Sequence, residues 1–203
     1  MIPADNFPSS ALRDAVEAIS SLPGVGSRSA LRLALHLLKQ PPEKIHRFAS
    51  AVDNLAEGVH YCKTCMMVAD GDQCAICADA RRDHDTICVV ESVRDVMSIE
   101  ATGQYHGVYH VLGGIISPIN GVGPSDLTIR QLVDRVGPST EVVLALSGDV
   151  EGETTAFYIY RQIEGSGCKV TTLARGLGFG DELEYADALT LGRSIVNRQL
   201  FKP

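Results

Sequence analysis

Tyr61-Cys-Lys-Thr-Cys65, followed after eight residues by Cys74-Ala-Ile-Cys77, divides the chain into two different textures. Two Cys-x-x-Cys pairs at this separation fold back so that four thiolates meet tetrahedrally around one Zn²⁺, a cation with no geometric preference of its own. A filled four-thiolate shell leaves no position open for substrate. Cys62, Cys65, Cys74 and Cys77 are therefore expected to hold one structural zinc ion per chain. Such binding is worth roughly 10 to 16 kcal/mol in zinc-finger peptides. That would fold a segment in which apolar periodicity disappears between Tyr61 and Asp85. The alternative is a pair of redox dithiols or unligated cysteines. Cys88 and Cys168 lie inside strand-like runs and are expected as small core residues. His60 and His84 flank the module, but the four sulfurs already complete a shell.

On the N-terminal side, residues 8 to 58 have helical spacing. Leu12, Ala15, Val16 and Ile19 make one stripe, and Ile45, Phe48, Ala49, Val52, Leu55 and Ala56 another. A Leu-rich helix from about Ser29 to Leu38 lies between them and ends at Gln40-Pro41-Pro42. Ahead of it comes Ser21-Leu-Pro-Gly-Val-Gly-Ser-Arg-Ser-Ala30. Gly24 and Gly26 allow a tight turn and close approach of a ligand, and the next helix begins with unpaired amides aimed at the same spot. That is phosphate-binding geometry. From Ala18 to Pro42 the chain carries Arg28, Arg32 and Lys39 and no acid. At 100° per residue the three cations fall within about 40° of each other on one helix. The pattern matches a helix-hairpin-helix that grips nucleic-acid backbone through Gly24, Val25, Gly26, Arg28 and Arg32 without reading bases. A hairpin whose turn only reverses the chain is the alternative.

On the C-terminal side, Thr86–Val90, Gly107–Leu112, Glu141–Leu146 and Lys169–Leu173 read as strands. Helical patterns near 92 to 101, 125 to 136 and 153 to 164 separate them, the alternation of a mostly parallel α/β sheet. Glu91 follows one strand directly, and Ser147-Gly-Asp-Val-Glu-Gly-Glu153 is expected as a loop after another. Loops beyond the carboxyl ends of parallel strands line the functional crevice. Glu91, Asp149, Glu151 and Glu153 would converge there and bind Mg²⁺, unless they are simply solvated acids. The Gly-rich stretches at 113–114, 121–123 and 176–180 precede no Gly-Lys-Ser/Thr, which argues against an ATPase. Residues 181–203 offer a short helix around Gly192 to Gln199.

The whole chain has 203 residues and a formal charge of -7. That excludes a uniformly basic nucleic-acid coat and confines any such contact to a local patch. Residues 1–60 are neutral overall, and the acidity falls on the rest. A hydrophobic fraction of 45% excludes wholesale disorder. Met1–Ser10 has neither the basic nor the apolar region of a secretory signal, and no apolar run reaches membrane-spanning length.

Taken in order, these strings resemble the bacterial recombination mediator family RecR over essentially the whole chain. The carriers are Leu22-Pro-Gly-Val-Gly26 with Arg28 and Arg32, Tyr61-Cys-Lys-Thr-Cys65, Ile87-Cys-Val-Val-Glu91, Tyr109-His-Val-Leu-Gly-Gly114, Ser117-Pro118, Gly121-Val-Gly-Pro-Ser-Asp-Leu127, Val150-Glu-Gly-Glu153 and Leu183-Glu-Tyr-Ala-Asp187. The resemblance implies a multi-part α+β chain. Its parts would be a helix-hairpin-helix domain at 1–60, a four-cysteine zinc finger at 61–80, a Toprim α/β domain at 81–180 and a C-terminal oligomerisation tail at 181–203. It also implies a homotetrameric ring without enzymatic activity in the bacterial cytoplasm. Such a ring acts with RecO, and in many bacteria RecF, to load RecA onto single-stranded DNA covered by single-strand binding protein. The Toprim acids would meet a partner protein or bind Mg²⁺ weakly. An Mg²⁺-dependent nuclease, topoisomerase or primase is the alternative, and a zinc-ribbon adaptor without DNA contact a third. Two departures stand out. Ser147-Gly-Asp149 replaces the usual Asn-Pro-Thr and adds a carboxylate two residues before Glu151, and Gly178-Phe-Gly-Asp181 replaces Pro-x-Gly-Gly near the tail.

Overall fold

In the computed structural model, residues 7–174, 176, 177 and 182–198 are described, apart from the side chain of Leu189. The departure at 178–181 lies outside them. The chain forms two compact units, Met1–Val59 and His60–Pro203.

The first unit holds α1 (Ser10–Ser20), α2 (Ser27–Leu38) and α3 (Pro42–Gly58). The first apolar stripe works as its spacing requires. Val16 of α1 meets Ala30 and Ala34 of α2, with Leu12, Ala15, Ile19, Val25 and Leu31 closing around them. Small residues on α2 allow the close approach. Helix α2 starts two residues earlier than Ser29, because Gly26 already has the extended conformation of an N-cap. Pro42 opens α3, where its fixed φ suits the first helical position. No residue of α3 is buried: Phe48, Val52 and Leu55 are exposed. Of its stripe, Ile45 is half-buried and the rest lies exposed.

In the second unit, β1 (His60–Tyr61) and β2 (Val68–Ala69) pair antiparallel and are followed by the single turn α4 (Ala75–Ala78). A parallel sheet of order β4-β3-β5-β6 follows, built from β3 (Asp83–Val90), β4 (Gly107–Val111), β5 (Glu141–Leu144) and β6 (Lys169–Thr172). Alternation along the strands divides the core. Ile87, Val89, Val108, Val142 and Leu144 face α6 (Ile129–Val133) and α7 (Val150–Ile163), where Leu132, Ile159 and Ile163 are fully enclosed. Cys88, Val90, Tyr109 and Val111 face Val96 of α5 (Val93–Glu100) and Met66, Met67 and Ile76 of the cysteine module. Both faces are covered, as a parallel sheet requires. The module thus adds apolar side chains to the sheet's core, a contribution hidden by the absence of any period in 61–85. Cys88 is core, and Cys168 packs at its margin.

The outer edge of β4 is closed by side chains and by the cysteine module. Arg82 donates to the Gly107 carbonyl at 3.2 Å and Arg135 to that of Tyr109 at 2.8 Å. The Val111 N–H donates to the Cys65 carbonyl at 2.8 Å, and the Thr128 hydroxyl to the Val111 carbonyl at 2.7 Å. A bare edge would be a template for strand addition.

Three further expected boundaries shift. The 125–136 pattern breaks into a 3₁₀ turn at Pro124–Asp126 and the short α6, because Leu127 between them is extended. Helix α7 starts at Val150 because Asp149 caps it, so Glu151 and Glu153 stand in its first turn rather than in a loop. The last helix, α8, spans Ala188–Val196, and the Asp187 carboxylate accepts from the Thr190 N–H at 2.9 Å. No helix among the described residues is long and apolar enough to cross a membrane.

Candidate nucleic-acid interface and metal centre

The turn between α1 and α2 depends on Gly24, whose φ of +80° lies in the left-handed region that side chains disfavour. Gly26 has an ordinary φ of -79°, and a Cβ there would meet nothing within 4 Å. Its value is openness. Among the described residues no side chain caps α2, and the N–H groups of Ser27, Arg28 and Ser29 have no acceptor. The Val25 N–H is already bonded to the Leu22 carbonyl at 3.1 Å, and its side chain packs in the hairpin core. The donors without an acceptor among the described residues are therefore those of Gly26, Ser27, Arg28 and Ser29. Arg28, Arg32 and Lys39 line one shallow groove with Leu31, Leu35 and His36. The three cations are exposed, and none is ion-paired among the described residues.

The four module cysteines are buried, and their sulfurs all lie within 4.8 Å of one another. A tetrahedral shell with Zn–S near 2.3 Å separates its sulfurs by about 3.8 Å; the Cys65 and Cys74 Sγ atoms are 3.5 Å apart. Met66, with φ +62°, turns the first knuckle, and the Cys74 sulfur accepts from the Cys77 N–H at 3.4 Å. Burial works against ionising Cys62, but N–H bonds from Cys74, Cys65 and Thr64 outweigh it and hold the thiol down at about 6. Cys65 is pushed up by its hydrogen bond with Cys77 and by burial, and Cys74 by burial and the charge of its neighbours. Crowded sulfurs of this kind ionise together only around a cation. The chemistry and spacing fit a metal ion.

The four acids lie at the carboxyl edge of the sheet without forming a ligand cluster; among the described residues, only the cysteines bring three or more ligand atoms together. Glu91 accepts from the Ser147 N–H at 2.5 Å and Glu151 from the Ser117 hydroxyl at 2.6 Å, while Glu153 pairs with Arg193 at 3.7 Å. Asp149 accepts from the Gly152 N–H at 2.8 Å and the Ser147 hydroxyl at 3.0 Å, and these bonds hold its carboxyl below the usual range. The additional carboxylate is a helix cap. Gly152 is required there, since a Cβ would collide with the Ser147 carbonyl.

The chain is 55% identical over 197 residues to a Bacteroides thetaiotaomicron protein named Recombination protein RecR, covering 96% of each. The chain belongs to the RecR family of recombination proteins. Proteins of the same name from Flavobacterium johnsoniae and Cytophaga hutchinsonii are 54% and 50% identical, over 97% of this chain and 96% and 98% of theirs. The RecR helix-hairpin-helix matches residues 12–56, the Toprim domain 85–174 and the RecR C-terminal family 176–199. The RecR resemblance and the helix-hairpin-helix, Toprim and parallel-sheet architecture are thus borne out. The contacts of Ser117, Arg135 and His110 were not legible in the sequence, because each depends on a partner distant along the chain.

Proposed function

We propose that this RecR-family chain is a non-catalytic, ring-forming DNA clamp of recombinational repair. It would act with RecO, and RecF where present, in loading RecA onto single-stranded DNA covered by single-strand binding protein in the bacterial cytoplasm. The observation that carries this is the pairing of free amides after Gly26 with the acid-free face of Arg28, Arg32 and Lys39. Gly24, Val25 and Gly26 shape the turn, the amides hold a phosphate, and Arg28 and Arg32 neutralise its neighbours. Contacts to backbone alone make binding sequence-tolerant and strongly salt-dependent.

Cys62, Cys65, Cys74 and Cys77 hold one structural Zn²⁺, which ties the knuckles together and supplies no open coordination position. Glu91, Asp149, Glu151 and Glu153 give the sheet's carboxyl edge an acidic face suited to a protein partner. The exposed apolar residues Phe48, Val52 and Leu55 on α3 support self-association into a tetrameric ring. The working division is 1–60, 61–80, 81–180 and 181–203.

Fluorescence anisotropy with a labelled single strand tests the clamp. Arg28→Ala with Arg32→Ala keeps the fold, weakens binding and reduces the slope of log affinity against log salt by about 1.4 per engaged hairpin. An unchanged slope removes the hairpin from the mechanism. Mg²⁺-dependent DNA cleavage that is lost in Glu91→Gln would make the protein an enzyme instead.

A further inference from the structure

One cation at the edge of β4, the strand that the cysteine module packs on, pairs with no carboxylate among the described residues. The finger's own cations are taken: Lys63 pairs with Asp72, Arg81 with Asp79, and Arg82 at its exit with Glu100. Arg135, two residues past α6, is half-buried and is in none of the ion pairs among the described residues. Its Nη1 donates to the Tyr109 carbonyl at 2.8 Å and to His110 Nδ1 at 3.1 Å. With Nδ1 accepting, the other ring nitrogen of His110 donates to the Thr128 carbonyl at 2.9 Å, so the imidazole is neutral.

Strand β4 explains how Arg135 comes to the metal centre. Tyr109 and Val111 point their backbone groups out of the same edge, about 7 Å apart along the strand. Arg135 occupies the Tyr109 carbonyl, and the Cys65 carbonyl takes the Val111 N–H. Helix α4, which carries Cys77, packs on the same strand. Burial pushes the Arg135 pKa down, and the charges of Cys77, Cys65, Cys62 and Cys74 pull it back up. The guanidinium and the knuckle that carries Cys65 thus hold neighbouring outward-facing positions, Tyr109 and Val111, on one edge of β4.

We infer that Arg135 is the counter-cation of the zinc–tetrathiolate centre, fixed by the edge of β4 so that it tightens metal binding and holds the finger against the sheet. This rests on the zinc reading above. Four thiolates around Zn²⁺ carry a formal charge of -2, and removing a dianion from water is costly unless a fixed positive charge faces it. Groups just outside the ligand shell typically change metal affinity by about 10- to 100-fold when removed.

The test uses the full-length chain with zinc, in competition with a chromophoric chelator. Arg135→Gln keeps an N–H donor for the Tyr109 carbonyl but no charge, Arg135→Met removes both, and Arg135→Lys keeps the charge. Arg82→Met is the control, since it opens the other end of the same edge away from the sulfurs. The expected result is about a 10-fold or greater loss of zinc affinity in Arg135→Gln and Arg135→Met, with Arg135→Lys within about threefold of wild type and Arg82→Met unchanged. In cobalt-loaded protein, the sulfur-to-metal charge-transfer band moves to longer wavelength in Arg135→Gln and stays in place in Arg82→Met. Circular dichroism checks folding, and Arg135→Gln alone decides if Arg135→Met does not fold. Equal zinc affinity in Arg135→Gln and wild type, or equal losses in Arg135→Gln and Arg82→Met, overturns the inference. A wild-type chain that takes up no zinc overturns the zinc reading itself, a distinguishable failure.

Discussion

The two glycines of the hairpin turn respond to substitution in opposite directions. At Gly24 a Cβ meets nothing within 4 Å, so Gly24→Ala has no steric cost. What remains is the left-handed backbone, φ +80°, which costs about 1 to 2 kcal/mol for a side-chain-bearing residue. Gly26 is an N-cap at φ -79° and ψ 160°, a conformation serine adopts readily. Gly26→Ser is expected to stabilise α2 by a few tenths of a kcal/mol, because its hydroxyl accepts from a first-turn N–H. That same bond withdraws the donor from DNA. An amide bond to a charged oxygen is worth about 1.5 to 3 kcal/mol, so affinity should fall by about 10- to 100-fold per engaged hairpin. Hydrogen exchange of the α1 and α2 amides measures the stability change, and anisotropy with a labelled oligonucleotide at fixed salt measures binding. The diagnostic result is a Gly26→Ser protein that is no less stable yet binds DNA poorly. Wild-type affinity in that variant would refute the phosphate site at the start of α2.

Three further outcomes follow from the sheet unit. Ile159→Ala, in a fully enclosed position on α7, should cost about 2 to 5 kcal/mol in denaturant unfolding. Gly152→Ala should unseat the start of α7 from the Ser147 carbonyl, lowering stability and releasing the Asp149 cap, visible as faster exchange at the amides of positions 152 and 153. Burial pushes the His110 imidazole down from its usual value to about 4. Above pH 6.5 the ring is neutral whether folded or unfolded and contributes no pH dependence. As pH falls from 6.5 towards 4, the unfolded chain takes up a proton that the folded chain refuses, and stability declines by up to about 3 kcal/mol. His110→Gln should lack that portion of the decline, and an NMR titration showing protonation of His110 near pH 6.5 would contradict it.

The sequence by itself determined the features written in short-range spacing. The cysteine pairs, the glycine turn and acid-free helix, and the alternation of strand-like and helical runs are repeats of two to four residues, the period of the elements that carry them. The helical hairpin, the parallel sheet and the four-cysteine cluster were legible for that reason. The tertiary structure decided what those residues meet. Asp149 reads as a metal ligand in a loop and becomes a cap, because β5 ends at Leu144 and brings Ser147 under Gly152. The cysteine module reads as a segment without a core, yet Met66, Met67 and Ile76 complete the core of the sheet. The stripe of α3 looks like the stripe of α1, but only the latter contributes a buried residue to a hydrophobic cluster. Arg135 carries no local sign of its position, since its contacts come from a strand 25 and 26 residues earlier. Local periodicity fixes which face a residue occupies, whereas burial, pairing and charge depend on chain segments that only folding brings together.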